Sequence, residues 1–103
     1  MVVTEITTRD EFDRLTQDGD TVVLDLYNIT GDNYMNAQFE GLSIKYPSIK
    51  FAKADLKQHP DVGGPVPDVT AVHTFQIFKD GVCKECYIDD VEPLDSTIAN
   101  SYK

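Results

Sequence analysis

The chain has 103 residues, 41% of them hydrophobic, which suits one domain over residues 1–103 with a single core. Eighteen acidic residues against nine basic ones give a formal net charge of −9, so nucleic acid and anionic membrane surfaces would be repelled. No apolar run approaches the roughly 20 residues of a membrane-spanning helix, and residues 1–5 lack a signal-peptide pattern, so we expect a cytoplasmic protein.

The first third of the chain predicts a helix followed by a central strand. Thr8 and Glu11 stand in the Ser/Thr-x-x-Glu pattern of a capping box, which opens a short helix that Gly19 ends. Residues 22–27 then form a nearly continuous apolar run that is β-branched at its start. Such a run is typical of a strand covered on both faces, so we expect it at the centre of the sheet.

A longer helix and a short one are predicted in the middle of the chain. From Asp32, apolar side chains recur at helical spacing until Pro47 ends the pattern. These side chains are Met35, Phe39, Leu42 and Tyr46. Residues 49–55 alternate as a strand, and a stunted helix is predicted to open at His59 before residues 63–67 break it.

The last third of the chain predicts a hairpin and a closing helix. Residues 74–78 and 82–88 flank Lys79-Asp80-Gly81, a turn sequence that is typical of β-hairpins. Pro93 opens the last helix. The apolar side of this helix is formed by Leu94, Ile98 and Tyr102. From the central strand onward, the predicted order of elements is therefore βαβαββα, an α/β fold.

Four segments of the chain resemble the thioredoxin family. They are residues 22–25, 42–47 and 51–55, and the hairpin sequence TFQIFKDG at residues 74–81. The resemblance extends from end to end and implies the thioredoxin fold, a mixed central sheet flanked by helices in a single domain. It also implies a redox site at the corner between the central strand and the long helix.

That corner departs from the family pattern. Thioredoxins carry Cys-Gly-Pro-Cys at the start of the long helix, where the helix dipole lowers the pKa of the first thiol. This chain has Thr30, Gly31, Asp32, Asn33 and Tyr34 there, in a shortened corner. None of these side chains carries sulfur, so none can undergo thiol–disulfide exchange.

Two further positions of the family site are occupied by His73 and Asp25. His73 stands where the family has a cis-proline, and we expect a trans Val72–His73 bond because a non-proline cis bond costs about 2.5–4 kcal/mol. Asp25 matches the buried acid that accepts a proton from the second thiol in the family. Without that thiol, we expect packing to retain Asp25, with a hydrogen bond to water or to Lys53, and a new catalytic role is the alternative.

The sequence contains two cysteines, Cys83 and Cys86, at a spacing known from redox and zinc motifs. Residues three apart in an extended strand point to opposite faces and lie about 10 Å apart, too far for a disulfide without a bulge or turn, so we expect both thiols to be reduced and unpaired. A zinc site would need two more ligands, and His59 or His73 would have to reach the far end of the sheet. No metal and no other cofactor are predicted.

The sequence thus predicts a redox-inactive binding or scaffold protein. A protein partner would dock on the altered corner and the loop before residue 74, with Tyr34 as the anchor. The predicted docking residues are Thr30, Gly31, Asp32, Asn33, Tyr34, Val72 and His73. One alternative is an atypical thiol–disulfide oxidoreductase that uses Cys83 and Cys86. Another is a subunit that joins a larger assembly through the strand at 82–88. The partner's identity and the oligomeric state stay open.

Overall fold

The computed structural model describes residues 3–17, 19–28, 33–62 and 72–102, with Asn33 described in its backbone only. Five strands form one mixed sheet, and they are β1 (Val3–Glu5), β2 (Val22–Tyr27), β3 (Lys50–Asp55), β4 (His73–Lys79) and β5 (Val82–Ile88). The strand order is β1-β3-β2-β4-β5. β3 runs parallel to β1 and β2, whereas β4 runs antiparallel to β2 and β5. The predicted central position of residues 22–27 is therefore confirmed.

Three α-helices flank the sheet, and they are α1 (Arg9–Thr16), α2 (Asn33–Lys45) and α3 (Glu92–Thr97), the last continued by a π-helical turn (Ile98–Tyr102). The predicted N-cap of α1 is confirmed, since the Glu11 backbone N–H donates to Thr8 Oγ1 at 3.2 Å. The Glu11 carboxylate accepts the backbone N–H of Thr7 at 3.3 Å, one residue before the N–H that a capping box uses. Among the described residues, no helix is long and apolar enough to cross a membrane.

The core divides into two clusters, one on each face of the sheet. Alternation along β2 sends Val23 to one face and Leu24 to the other. The face that carries α2 and α3 holds the larger cluster, which includes Phe39, Leu42, Tyr46, Phe51, Phe75, Ile77, Leu94 and Ile98. The face that carries α1 holds Ile6, Phe12, Val22, Leu24, Leu26, Ala52, Ala54 and Val62. Both predicted apolar helix stripes are thereby confirmed, because their members pack in or against the larger cluster.

The β4–β5 hairpin is confirmed, and it contains one irregularity. Asp80 and Gly81 have φ angles of 55° and 78°, the left-handed pair that a tight two-residue hairpin turn requires. The ladder between the two strands shifts register between Ile77 and Phe78, which marks a β-bulge. The bulge changes which side chains of β5 share a face.

Two details of the predicted order are wrong. The short strand β1 was not predicted, and the described order is βαβαβββα. The stretch from residue 56 to residue 62 forms turns, whereas the sequence predicted a helix opening at His59. The Asp55 carboxylate accepts the backbone N–H groups of Lys57 at 2.9 Å and Gln58 at 3.4 Å, which fixes the turn before His59. Within the predicted helix, the Val62 N–H donates to the His59 carbonyl three residues earlier at 3.2 Å, a turn bond and not the four-residue bond of an α-helix. Residues 63–67, predicted to break that helix, lie outside the described residues.

Candidate functional site

The candidate site lies at the end of the sheet where β2 finishes and β4 begins. Tyr27 and His73 are register partners there, and the Asn28 N–H donates to the Val72 carbonyl at 2.8 Å. Tyr34, in the first turn of α2, is 65% exposed. Of the remaining predicted docking residues, Asn33 is described only as helical backbone, and Thr30, Gly31 and Asp32 lie outside the described residues.

His73 and Asp25 form a pair inside the protein. His73 Nδ1 lies 2.8 Å from Asp25 Oδ1, and the two side chains are 0% and 1% exposed. The imidazole also stacks on Phe75, with a centroid distance of 5.4 Å and an interplanar angle of 2°. His73 was predicted as part of a docking surface, but its side chain is fully buried. Asp25, for which a water or Lys53 was expected as partner, is bonded to His73.

The pair follows from strand register, although sequence reasoning missed it. Asp25 pairs across the sheet with Phe75, and His73 stands two residues before Phe75 on the same strand. Residues two apart on a strand share a face, so the histidine is the diagonal neighbour of the aspartate. The signal that could have found the pair is the mixed central sheet that the family resemblance implies, since it allows these two strands to be neighbours.

The backbone around His73 is fixed by Asp89, at the end of β5. Asp89 Oδ1 accepts the N–H groups of Val72 at 2.9 Å and His73 at 2.7 Å, and the Asp89 N–H donates to the His73 carbonyl at 2.9 Å. The Val72–His73 peptide bond is trans, as predicted. A proline at position 73 would have no N–H, so this clamp depends on the departure from the family pattern.

Tyr27 borders the pair, with its ring centroid 6.4 Å from that of His73. Its hydroxyl donates to Glu5 Oε2 at 3.4 Å. Burial, followed by the negative charges of Glu5 and Asp55, raises the pKa of Tyr27 to about 12. The phenol therefore stays protonated at neutral pH and can donate a hydrogen bond but cannot act as a base.

Cys83 and Cys86 lie on β5, the edge strand beyond β4, and both are free and exposed. The ladder beside them contains a β-bulge, the exception that the predicted strand geometry allowed for. The bulge brings both residues opposite one face of β4, since Cys83 pairs with Phe78 and Cys86 with Gln76. Burial is the main cause that raises the pKa of each thiol above its ordinary value.

Metal ligands are not gathered in the part of the chain that the structure describes. No group of three or more His, Cys, Asp or Glu residues there is arranged to hold an ion. The buried pair of Asp25 and His73 is a hydrogen-bonded acid and imidazole, with Tyr27 beside the imidazole and Asp89 bound to its backbone.

Comparison with known proteins finds sequence similarity to two curated proteins. It is 32% identical over 81 residues to mitochondrial thioredoxin-3 of Saccharomyces cerevisiae, a match that spans 77% of this chain and 63% of the yeast protein. It is 32% identical over 101 residues to monothiol glutaredoxin-S17 of Arabidopsis thaliana, which spans 95% of this chain but 20% of that protein. The chain thus covers less than two thirds of either curated relative. No protein-family model matches it.

The fold comparison agrees with the sequence similarity. The crystal structure of oxidised mitochondrial thioredoxin 3 from Saccharomyces cerevisiae superposes with a TM-score of 0.80 and 28% identity, over 95% of this chain and 94% of the yeast chain. The chain therefore has the thioredoxin fold, as the resemblance implied.

Proposed function

We propose that this chain, a distant member of the thioredoxin family by sequence similarity and fold, is a redox-inactive binding protein that docks a protein partner at the altered corner. The observation that carries the proposal is the hydrogen bond between Asp25 and His73. The family resemblance assigns the buried acid to proton exchange with a thiol, and here that carboxylate is bonded to an imidazole 2.8 Å away. The corner supplies no sulfur for it to serve.

The docking surface that we propose has an exposed part and a buried support. Tyr34 is its aromatic anchor, because a tyrosine that is 65% exposed in a first helical turn can bury a large area on a partner at small entropic cost. The proposal also takes in the half-buried Val72 and, from the sequence prediction alone, residues 30–33. His73 supports this surface from inside, through its bonds to Asp25 and Asp89.

The charge of the chain indicates the character of the partner. A net charge of −9 favours encounter with a basic surface and disfavours an acidic one. We therefore propose a protein that presents basic side chains around an apolar or aromatic pocket. Its association rate is expected to fall as salt concentration rises, because exposed charges are screened within about 8 Å at physiological ionic strength.

Affinity capture with matched variants tests the docking surface. Ile44 is the control for Tyr34, because both are 65% exposed and both lie on α2, about 15 Å apart along the helix. We expect Tyr34→Ala to lose a specific partner that the wild type and Ile44→Ala both retain. Equal loss in both variants, or no loss in either, would move the interaction away from the corner.

The competing function is thiol–disulfide exchange through Cys83 and Cys86, which the shared face of the two residues favours. Their raised pKa values count against it, because the thiolate is the attacking species and a strand offers no helix terminus to stabilise it. The purified protein should fail to reduce insulin with dithiothreitol as the electron donor. Activity that disappears on Cys83→Ser or Cys86→Ser would establish the oxidoreductase instead.

A further inference from the structure

The β-bulge in the hairpin brings the two cysteines of the chain onto one face of β5. Cys86 pairs with Gln76 along the ladder. Cys83 pairs with Phe78, two residues further along β4, because the ladder passes over Lys84 as the extra residue of the bulge. Two cysteines that are three apart in sequence therefore occupy positions that are two apart in the ladder.

The spacing of the two side chains fits one shared metal ion. Residues two ladder positions apart point to the same face, and at a rise of about 3.3–3.4 Å per residue the two Cβ atoms are about 6.7 Å apart. This separation exceeds the roughly 3.5–4.5 Å that a disulfide spans. Two sulfur atoms on opposite sides of one ion, each about 2.3 Å from it, are about 4.6 Å apart. Each sulfur lies one bond beyond its Cβ, so two side chains that lean toward each other reach that distance.

The contacts of the two thiols agree with this spacing. The Cys83 thiol donates to the Glu85 carbonyl at 3.4 Å, so its sulfur leans along β5 in the direction of Cys86. Burial, followed by the charge of Cys86, raises the pKa of Cys83, as expected for two sulfur atoms that lie near each other. Burial also raises the pKa of Cys86, and a hydrogen bond from the Gln76 side chain opposes that effect. The Gln76 side chain therefore contacts the second thiol from β4.

The ligand type and the ligand number indicate the class of ion. Thiolates are soft ligands and select ions such as Cu(I) and Zn(II). Structural Zn(II) takes four ligands, whereas this face of β5 supplies two sulfur atoms. A pair of ligands is smaller than the groups of three or more that the described residues do not form. Cu(I) forms stable complexes with two thiolates on opposite sides of the ion, and both cysteines are exposed to an arriving ion.

We propose that Cys83 and Cys86 bind one soft monovalent cation, Cu(I), between their two sulfur atoms. Each thiol gives up its proton and forms one bond to the ion, so one Cu(I) is bound and two protons are released. No electron is transferred, and the sulfur atoms and the ion keep their oxidation states. The site is thus compatible with a redox-inactive protein.

The raised pKa values of the two thiols do not prevent this binding. A nucleophilic thiol must be deprotonated before it attacks, whereas a metal ion competes with the proton for the sulfur and displaces it. The affinity for Cu(I) should therefore fall as the pH is lowered. The inference goes beyond the docking function and does not depend on it, since no residue of the proposed docking surface takes part.

Competition with a coloured Cu(I) chelator tests the proposal. The fully reduced chain, without added thiol and under anaerobic conditions, is titrated into the Cu(I) complex of bicinchoninate. We expect the wild type to take up one Cu(I) per chain with no change in its oligomeric state, which native mass spectrometry checks. Because the second thiol binds within the same chain, the affinity should exceed that of the matched control by about 100-fold or more.

The matched control, Cys86→Ser/Ile88→Cys, keeps two thiols on the same face but separates them. Ile88 pairs with Thr74, four ladder positions from the partner of Cys83, so the two Cβ atoms are about 13 Å apart and cannot share one ion. Both substituted side chains are exposed, so the fold should be retained, and the urea midpoint of the control checks this. Equal affinity for Cu(I) in the folded control and the wild type overturns the proposal. One ion shared between two chains, or Zn(II) bound as tightly as Cu(I), also overturns it.

Discussion

Replacing His73 by leucine removes the partner of a buried carboxylate and keeps an apolar side chain in the same space. Asp25 and His73 are at most 1% exposed, so the solvent screening that weakens surface ion pairs does not apply to them. Removing one partner of a buried pair costs about 3–5 kcal/mol. A domain of ordinary stability has about 5–15 kcal/mol in total, so the loss should be large enough to measure without difficulty.

Urea unfolding at pH 7 measures the effect. With a slope of about 1–3 kcal/mol/M, the midpoint should fall by about 1 M or more in His73→Leu, and similarly in Asp25→Leu. The double variant Asp25→Leu/His73→Leu should lose less stability than the sum of the two single losses, with a coupling of about 1–3 kcal/mol. The reason is that each single variant buries one polar group without its partner, whereas the double variant buries none. If the single losses add to within about 0.5 kcal/mol, the two side chains are not energetically coupled and our account of the pair is refuted.

Three further predictions concern the parts of the fold that hold the site in place. Thr8→Ala should lower the free energy of unfolding by about 1 kcal/mol through loss of the α1 cap, and an unchanged urea midpoint would contradict the capping role. Gly81→Ala should destabilise the hairpin by more than about 1 kcal/mol because its φ is 78°, whereas Gly41→Ala, in open space on α2, should stabilise the protein by up to about 1 kcal/mol. A Gly81→Ala variant with a raised unfolding temperature, or a Gly41→Ala variant with a lowered one, would contradict this assignment. Hydrogen bonds from the Tyr46 hydroxyl, and then from Lys45, lower the pKa of Asp95 in the folded state. The stabilising contribution of the Asp95 carboxylate is therefore fully present above its unfolded-state pKa and is lost as the pH falls through its folded-state pKa. Asp95→Asn should therefore be less stable than wild type at pH 7 and equally stable in strong acid, and a difference that persists in acid would show that the lost stability is not due to this carboxylate's charge.

Local patterns in the sequence were sufficient to predict the elements that frame the site. The apolar run of β2 predicted a central strand because burial on both faces removes the usual alternation. The apolar stripe of α2 predicted a helix packed on the sheet, and Asp80-Gly81 predicted the hairpin because few residues adopt its left-handed turn. Each of these signals lies within a short window of the chain, which is why each could be recognised without the fold.

The contacts inside the site could not be predicted in this way. Asp25 and His73 are 48 residues apart, and their meeting depends on the register of β2 against β4. The bulge at Lys84 depends likewise on the pairing of β5 with β4, and without it the cysteines were expected on opposite faces. The helix expected at His59 is replaced by a turn in which the Val62 N–H donates to the His59 carbonyl, and a proline at position 60 suits an isolated turn as well as a first helical turn.

The clamp formed by Asp89 restricts how the chain can change at position 73. The carboxylate accepts the His73 N–H, and its own backbone has a φ of 54°, a conformation that glycine adopts most readily. Proline at position 73 would delete the donor and leave Asp89 in that conformation with only one of the two N–H groups that its carboxylate accepts. The two positions therefore form a linked pair for protein engineering. We expect His73→Pro to cost less stability in an Asp89→Gly background than in the wild type, because the glycine has no carboxylate left to lose a donor.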